Sequence, residues 1–505
     1  MRRLPSRLRR LPSRLGLVGL LGVSALVSAA GAVVAATTLH GPSAAAVGGN
    51  RPVDAAATDP TTPGTNNSPV LARSPRNPAD VAVANRVDSP QYSCALHVSL
   101  DGGLHWRQTP VPFPTGEELP ARCYAPDVAF GPNGVLYLSY VTLIGIGNSP
   151  HALWLATSTD GGRTLSRPVR VGGPLEFQAR LAADPQVAGH LYLTWLQVRT
   201  TGNLFFPDVG NPIMLSGSTD GGLTWSAPVQ VSPPTRARVV APSVAVGSGG
   251  ALYVSYLDIG GDALDYNGGS GGNGGPAYAG PWTVMLARST DGGRHWAQTV
   301  VDARVVPYTR FVVFLPPFPS LALDPARGRV YVGFTDARLG EPDVYVWAST
   351  DGGAHFSPGV RVDHAPAGDG RDKYLPALAA APGGRLDVLY YTRQADPHDV
   401  ADRAALASSY DGARTFGASV DLSDRAFDSR FAPNSIRNLP DLGSRLGLVS
   451  TDRSALAVWT DTRAGNLLSG KQDLAAEIVA FTPASSWQVP LLVVGAVLAV
   501  AGAIL

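Results

Sequence analysis

The sequence predicts an all-β chain: a β-propeller of four-stranded blades, seven blades preferred over six, with hydrophobic segments at both termini. Three observations lead there. A turn signature, Ser-x-Asp-Gly-x-x-x-aromatic, returns six times at nearly constant spacing. Segments with strand patterning fill the intervals. Gly and Pro are abundant, 57 and 43 of 505 residues, which suits many short strands joined by turns.

The six copies begin at Ser99, Ser158, Ser218, Ser289, Ser349 and Ser409. Their aspartates are Asp101, Asp160, Asp220, Asp291, Asp351 and Asp411, at intervals of 59, 60, 71, 60 and 60 residues. A fixed period of this size marks a repeat architecture. In each copy an Asp side chain can accept bonds from nearby backbone N–H groups and hold a tight turn. The glycines supply backbone angles that other residues resist. The aromatic residue, replaced by Leu165 in the second copy, packs back on the sheet. These six aspartates are therefore read as structural.

Each interval holds four strand patterns, for example Pro319–Ala322, Arg329–Phe334 and Trp282–Ala287. Four strands per 60 residues make one propeller blade. A seventh unit comes after the last turn, with Pro440–Gly443, Ala455–Asp461 and Asp473–Phe481. It lacks the turn signature and a clear fourth strand. Residues just before Ser68 are candidates to complete it and to remove the open sheet edges.

The composition limits the partners. Lys+Arg (40) balances Asp+Glu (39), and a net charge of +1 gives no footprint for nucleic acid. The cations are almost all arginine, since the only lysines are Lys373 and Lys471, and only five acids are glutamate. The two cysteines, Cys94 and Cys123, form a natural disulfide in an exported domain.

The chain reads as four parts. Residues 1–40 are a signal peptide or signal-anchor helix, with six arginines in the first 14 residues and no charge from Leu15 to Leu39. Residues 41–67 read as a flexible linker, 68–484 as the propeller, and 485–505 as a C-terminal transmembrane helix, with Val489–Leu505 uncharged. Terminal helices in the membrane place the propeller on the extracellular side.

The repeats resemble the Asp-box, or bacterial neuraminidase, repeat of the sialidase superfamily over nearly all of residues 68–482. That resemblance implies a propeller whose ligand face lies opposite the boxes. For sialidases it implies three arginines on a sugar carboxylate, a Tyr/Glu pair and an Asp acid/base. The Arg-Ile-Pro of that family is absent here; Arg73 and Arg76 stand in the first blade in another context. The reading is thus a membrane-anchored propeller that binds a glycan or protein. An exo-α-sialidase-type glycoside hydrolase is the alternative, and a membrane-held assembly module the second.

The loops entering the inner strands carry Arg122, Arg180, Arg238, Arg310, Arg371 and Arg437. Converging guanidinium forks suit a carboxylate, sulfate or phosphate. Arginine–aspartate pairing between neighbouring blades uses the same residues. If hydrolysis occurs, Tyr374 with Glu176 or Asp372 are the candidates. The longest interval contains Asp258, Asp262 and Asp265 among many glycines, oxygen donors that could hold Ca²⁺. No other cofactor is expected. The histidines of the boxes, His105, His295 and His355, lie on separate blades and do not suggest a shared metal site.

Overall fold

A computed structural model describes residues 43–54, 64–115, 122–145, 147–199, 209–262, 278, 280–308, 317–433, 441–466 and 468–482. The chain divides into two units, Ala46–Ala480 and Met1–Ala45 with Phe481–Leu505. The first is the propeller. Most of the second, including both hydrophobic segments, lies outside the described residues. Among the described residues no helix is long and apolar enough to cross a membrane.

Seven antiparallel sheets succeed one another along the chain. Their inner strands are Asn66–Arg73, Cys123–Phe130, Glu176–Ala183, Val239–Val246, Ser320–Asp324, Lys373–Ala380 and Gly447–Ser450. Each pairs with the next strand in sequence, and the blade then runs outward. The third blade is typical: Glu176–Ala183, Leu191–Gln197, Ile213–Ser218 and Val229–Gln230. Strand alternation buries apolar residues on both faces, because every blade is sandwiched between two others. One core joins Phe177, Leu215, Tyr256, Leu286 and Trp347 across adjacent blades.

The seventh blade settles the count. Its three C-terminal strands are Gly447–Ser450, Ser454–Asp461 and Asp473–Thr482. An outer strand comes from the other end of the propeller, with Arg51 opposite Ala476 and Pro52 opposite Ala475. Part of the stretch expected as linker is therefore sheet. Val53 next to it is buried with Leu71 of the first blade and Leu456 and Leu474 of the seventh. The ring closes through one blade made from both ends.

All six Asp-box turns form as the sequence implies. In the first, Ser99 Oγ donates to Asp101 Oδ1 at 2.7 Å and accepts from Gly103 N at 2.9 Å. Asp101 Oδ1 also accepts from the backbone N–H groups of Leu104 and His105. The fourth residue after Asp adds a further bond to Oδ2. It is Thr in three boxes (Thr164, Thr224, Thr415) and His in the others (His105, His295, His355). The box histidines serve their own turns.

The second glycine of each box faces the preceding blade. A Cβ on Gly162 would lie 2.6 Å from Val98 and 2.9 Å from Leu136, at φ +88. The equivalent Gly103 of the first blade faces Leu456 of the seventh, so the closing seam is sealed by the same contact. The sixth box has Ala413, buried at φ 65.

Cys94 of the first blade and Cys123 of the second are disulfide-bonded, with Cα atoms 5.7 Å apart. The bond ties two neighbouring blades across a sequence separation of 29 residues.

Three outcomes are expected in equilibrium denaturation. Gly162→Ala should destabilise by about 2–3 kcal/mol, through a positive φ and overpacking together. Ala413→Gly, at the position that already accommodates a Cβ, should move the midpoint far less. Replacing both cysteines by alanine should cost about 3–4 kcal/mol on the loop-entropy account. An unchanged midpoint for either Gly162→Ala or the double cysteine variant contradicts the seam and the cross-link respectively.

Candidate functional site: the central ring and its rim

The inner strands share a local device. In the first, second, third, fourth and sixth blades the pairing with the second strand shifts register at a bulge. Ser68, Ala125, Gln178, Ala241 and Leu375 sit at these bulges with φ between 49 and 58. A bulge bends its strand and re-aims the side chains beyond it. Here the backbone N–H groups at two of the bulges are captured by neighbouring blades. Ala241 N donates to Gln178 Oε1 at 2.7 Å and Leu375 N to Thr335 Oγ1 at 3.1 Å.

Beyond the bulges the inner strands line the channel. One residue from each blade pairs at the same register: Val70, Asp127, Arg180, Ser243, Ser320, Ala377 and Gly447. Two of the seven are charged, and they are neighbours. Arg180 Nε lies 2.7 Å from Asp127 Oδ2. Asp127 is further occupied by the backbone N–H groups of Val128 and Leu181. The other side of the ring is small: two serines, an alanine and a glycine. This asymmetry leaves a cavity of about 220 Å³ bounded by Arg180, Ser243, Phe318, Ser320, Ala377 and Arg445, among others.

Arg445 is the second cation of this cavity. It precedes the seventh inner strand by two residues. Its guanidinium and that of Arg180 lie 5.2 and 5.3 Å from the centroid of the Phe318 ring, a cation–π distance for each. Arg445 Nη2 donates to Pro126 O at 3.2 Å, while Nε and Nη1 are buried without a hydrogen-bond partner. Burial, and then the charge of Arg180, push its pKa down to about 9.

The predicted arginines divide. Arg180 is in the ring. Arg122 and Arg238 occupy one equivalent rim position and hold the loops after their second strands. Arg122 donates to Asn148 Oδ1 (2.7 Å) and Gly145 O (2.9 Å), Arg238 to Gly261 O (2.9 Å). Arg371 is partly exposed, its backbone N–H on Asp369 Oδ1. Arg310 and Arg437 lie outside the described residues. Several other arginines make the inter-blade pairs that were the alternative: Arg86 with Asp441, Arg338 with Asp302, and Arg463 with Asp424.

Tyr374, Asp372 and Glu176 do not come together. The Tyr374 hydroxyl donates to Asp402 Oδ1 at 2.9 Å, with the Arg393 guanidinium 5.7 Å from its ring centroid. Burial and the Asp402 carboxylate hold this phenol well above its ordinary pKa, so it stays protonated in the core. Asp372 pairs with Arg393 at 3.2 Å. Glu176 belongs to the third blade and is 4% exposed. Its Oε1 accepts from Gly173 N and its Oε2 has no partner. Burial raises its pKa to about 7. A buried Tyr with a committed carboxylate offers no nucleophile to a ligand in the channel.

Two of the three calcium candidates have partners of their own. Asp258 Oδ2 pairs with Arg236 (2.8 Å) and Asp262 Oδ2 accepts from Trp282 Nε1 (2.7 Å). Asp265 lies outside the described residues, and among the described residues no group of three His, Cys, Asp or Glu could hold a metal. Sequence reasoning missed Arg445 and Phe318. Neither belongs to the repeat signature, and only the short distance of Arg445 from the seventh inner strand pointed inward.

Seven blades, six of them closed by an Asp-box turn, define a seven-bladed β-propeller. No protein-family model matches the chain. It is 28% identical over 274 residues to xyloglucanase Xgh74A of Acetivibrio thermocellus, a match covering 52% of this chain and 28% of that one. The chain thus spans little more than a quarter of that relative. Similar solved structures include a protein of unknown function from Dyadobacter fermentans (TM-score 0.46, 15% identity, 87% of this chain and 99% of that). Another is the Hadza microbial sialidase Hz136 (0.43, 14%, 80% and 74%). A third is the α-L-arabinanase of Penicillium chrysogenum (0.39, 16%, 74% and 96%).

Glu176 supplies a pH test. Its folded pKa, about 7, lies above its ordinary value of 4.5. Its contribution to stability is therefore full below pH 4.5 and is lost as pH rises through 7. Glu176→Gln should gain stability over the parent at about pH 8 and gain nothing at about pH 4, read as melting temperatures. Equal shifts at both pH values contradict a buried, late-ionising carboxyl.

Proposed function

We propose that this chain is an extracytoplasmic propeller, held at the membrane by its terminal segments, that binds a carbohydrate without cleaving it. The face opposite the Asp boxes takes the ligand. One observation carries the non-catalytic part: Tyr374 is sealed in the core on Asp402, and Asp372 is paired with Arg393. Glycoside hydrolysis needs two carboxylates, or a Tyr and its base, flanking one accessible bond. The similarity to a xyloglucanase over about half of the chain supports carbohydrate as the ligand class. The Cys94–Cys123 disulfide supports an oxidising compartment.

The full chain, purified in detergent, should retain one or more polysaccharides in an affinity screen that includes xyloglucan and sialylated glycans. It should release no fluorophore from a sialoside and no reducing ends from xyloglucan. Turnover abolished by Tyr374→Phe in a folded protein overturns the non-catalytic reading, and absence of any glycan binding overturns the ligand class. Protease added to intact cells should digest the propeller. Full protection overturns the extracytoplasmic placement.

A further inference from the structure

The seventh blade is closed by a short strap, residues 51–54, and the last link of that strap is a carboxyl group. Arg51 and Pro52 pair with Ala476 and Ala475. Val53 N then donates to Leu474 O at 2.9 Å, and Leu474 N donates to Asp54 Oδ2 at 3.2 Å. The Asp54 side chain thus takes the place of a further ladder carbonyl. Asp54 is 5% exposed and its Oδ1 has no hydrogen-bond partner. Among the described residues no cation stands within ion-pair distance of it. A buried carboxylate without a cation of its own is costly to keep ionised.

The neighbouring charges do not supply one. The strand Asp473–Thr482 brings Asp473, next in sequence to Leu474, and Glu477, whose Oε1 lies 3.7 Å from Arg51 of the strap. Just before that strand comes Lys471, buried, with Nζ 3.8 Å from Asp473 Oδ2. The strand Ser454–Asp461 brings Asp461, directly opposite Asp473 and 2.7 Å from Arg463. The field of Arg425 reaches Asp461, and Arg463 also pairs with Asp424. Asp461 and Glu477 therefore have guanidinium partners, while one ammonium, Lys471, serves both Asp473 and Asp54. Burial, and then the Asp473 carboxylate, push the Asp54 pKa up to about 7; the Leu474 N–H and Lys471 act against this and do not offset it.

We propose that Asp54 is a proton-operated latch: as a neutral carboxyl it seats residues 51–54 on the seventh blade, and as a carboxylate it releases them. Its folded pKa lies above its ordinary value of 3.8. Its support of the seated strap is therefore full below pH 3.8 and is lost as pH rises through about 7, the proton passing to water. Release leaves the Leu474 N–H without its acceptor and bares the outer edge of residues 474–476, a template for pairing with another strand. Asn50 fixes the upstream end by donating to Leu422 O (2.7 Å) and Glu477 Oε2 (3.1 Å), so the opening is local to the residues that follow it. The latch stands whether or not the propeller binds carbohydrate.

Hydrogen–deuterium exchange of the intact chain in detergent tests it, read by mass spectrometry as protection factors, which remove the intrinsic pH dependence of exchange. Protection of the segments containing Val53 and Leu474 should fall about tenfold between about pH 6 and about pH 8.5. That factor follows for a carboxyl that ionises at about 7 when seated and at its ordinary 3.8 when released. Residues 455–461 of the same blade should keep their protection. Asp54→Asn, neutral at both pH values, should show no fall. Asp473→Asn, which leaves Lys471 to face Asp54 alone, should move the fall to lower pH. This second variant keeps the test valid should Asp54→Asn fail to fold. Equal protection of the parent at both pH values, or a fall shared by residues 455–461, overturns the latch. So does the parent's fall persisting in folded Asp54→Asn, or standing at an unchanged pH in folded Asp473→Asn.

Discussion

The serine–aspartate turn is the interaction on which the propeller depends. Ser and Asp bond to each other and together accept backbone N–H groups of the next few residues. This fixes a tight turn after the third strand. Its consequence reaches past the hairpin, because the turn delivers a residue without a side chain onto the preceding blade. Gly162 against Val98 and Gly353 against Leu286 are the same contact repeated. In the five boxes with glycine, blade spacing is thereby set by a backbone-to-side-chain approach that a Cβ would crowd. Hydrogen bonding also holds the box carboxylates ionised. The Thr224 hydroxyl, then the Thr224 backbone N–H and the Ser218 hydroxyl, lower the Asp220 pKa to about 2. Such a group supports folding above its ordinary pKa and loses that support as pH falls toward 2.

Seven blades and six boxes leave one blade without this lock, and it is the one assembled from both chain ends. It is held by other means. Arg51 and Pro52 add an outer strand to Asp473–Thr482, and Val53 fills the seam. Arg385 of the sixth blade reaches the carbonyls of Thr451 and Asp452 in the turn of the seventh, while bonded to Asp387. Asp387 in turn accepts from Ser450. A charged network thus replaces the glycine contact at the sixth-to-seventh seam. On the other side, Gly103 of the first box seats on Leu456. Closure without a seventh box is therefore a distribution of the same task between a strand, a box and an ion pair.

Much of this was legible in the sequence because it repeats. The turn signature, its period, the four-strand unit, the seventh unit and the cysteine pair all carry their own local chemistry, and all appear in the structure. That residues before Ser68 complete the seventh blade was legible, but not that Arg51–Pro52 do so. Two residues in a stretch rich in Ala, Pro and Thr have no strand periodicity, and only the vacant edge of Asp473–Thr482 selects them. The site was legible in part. Which loops carry arginine before an inner strand could be read directly. Whether such a side chain faces a ligand or bonds to its own loop depends on the loop's carbonyl positions, which sequence does not contain. Arg122 and Arg238 took the second course. The partner of Tyr374 was hidden for the same reason: Asp402 is two strands outward and 28 residues on.

The contrast between rim and ring explains where function is to be sought. At the rim, arginines and aspartates neutralise one another: Arg338 with Asp302 and Asp336, Arg393 with Asp372 and Asp402, Arg86 with Asp88 and Asp441. Paired groups of this kind hold loops and specify which blade meets which. In the ring the matching stops. The charged members of the shared register, Asp127 and Arg180, are adjacent and cancel, and the rest are uncharged. Arg445 then enters from outside the register and restores an excess of one positive charge at a point shielded from water. Arg445 is held there by the Pro126 carbonyl and the Phe318 ring.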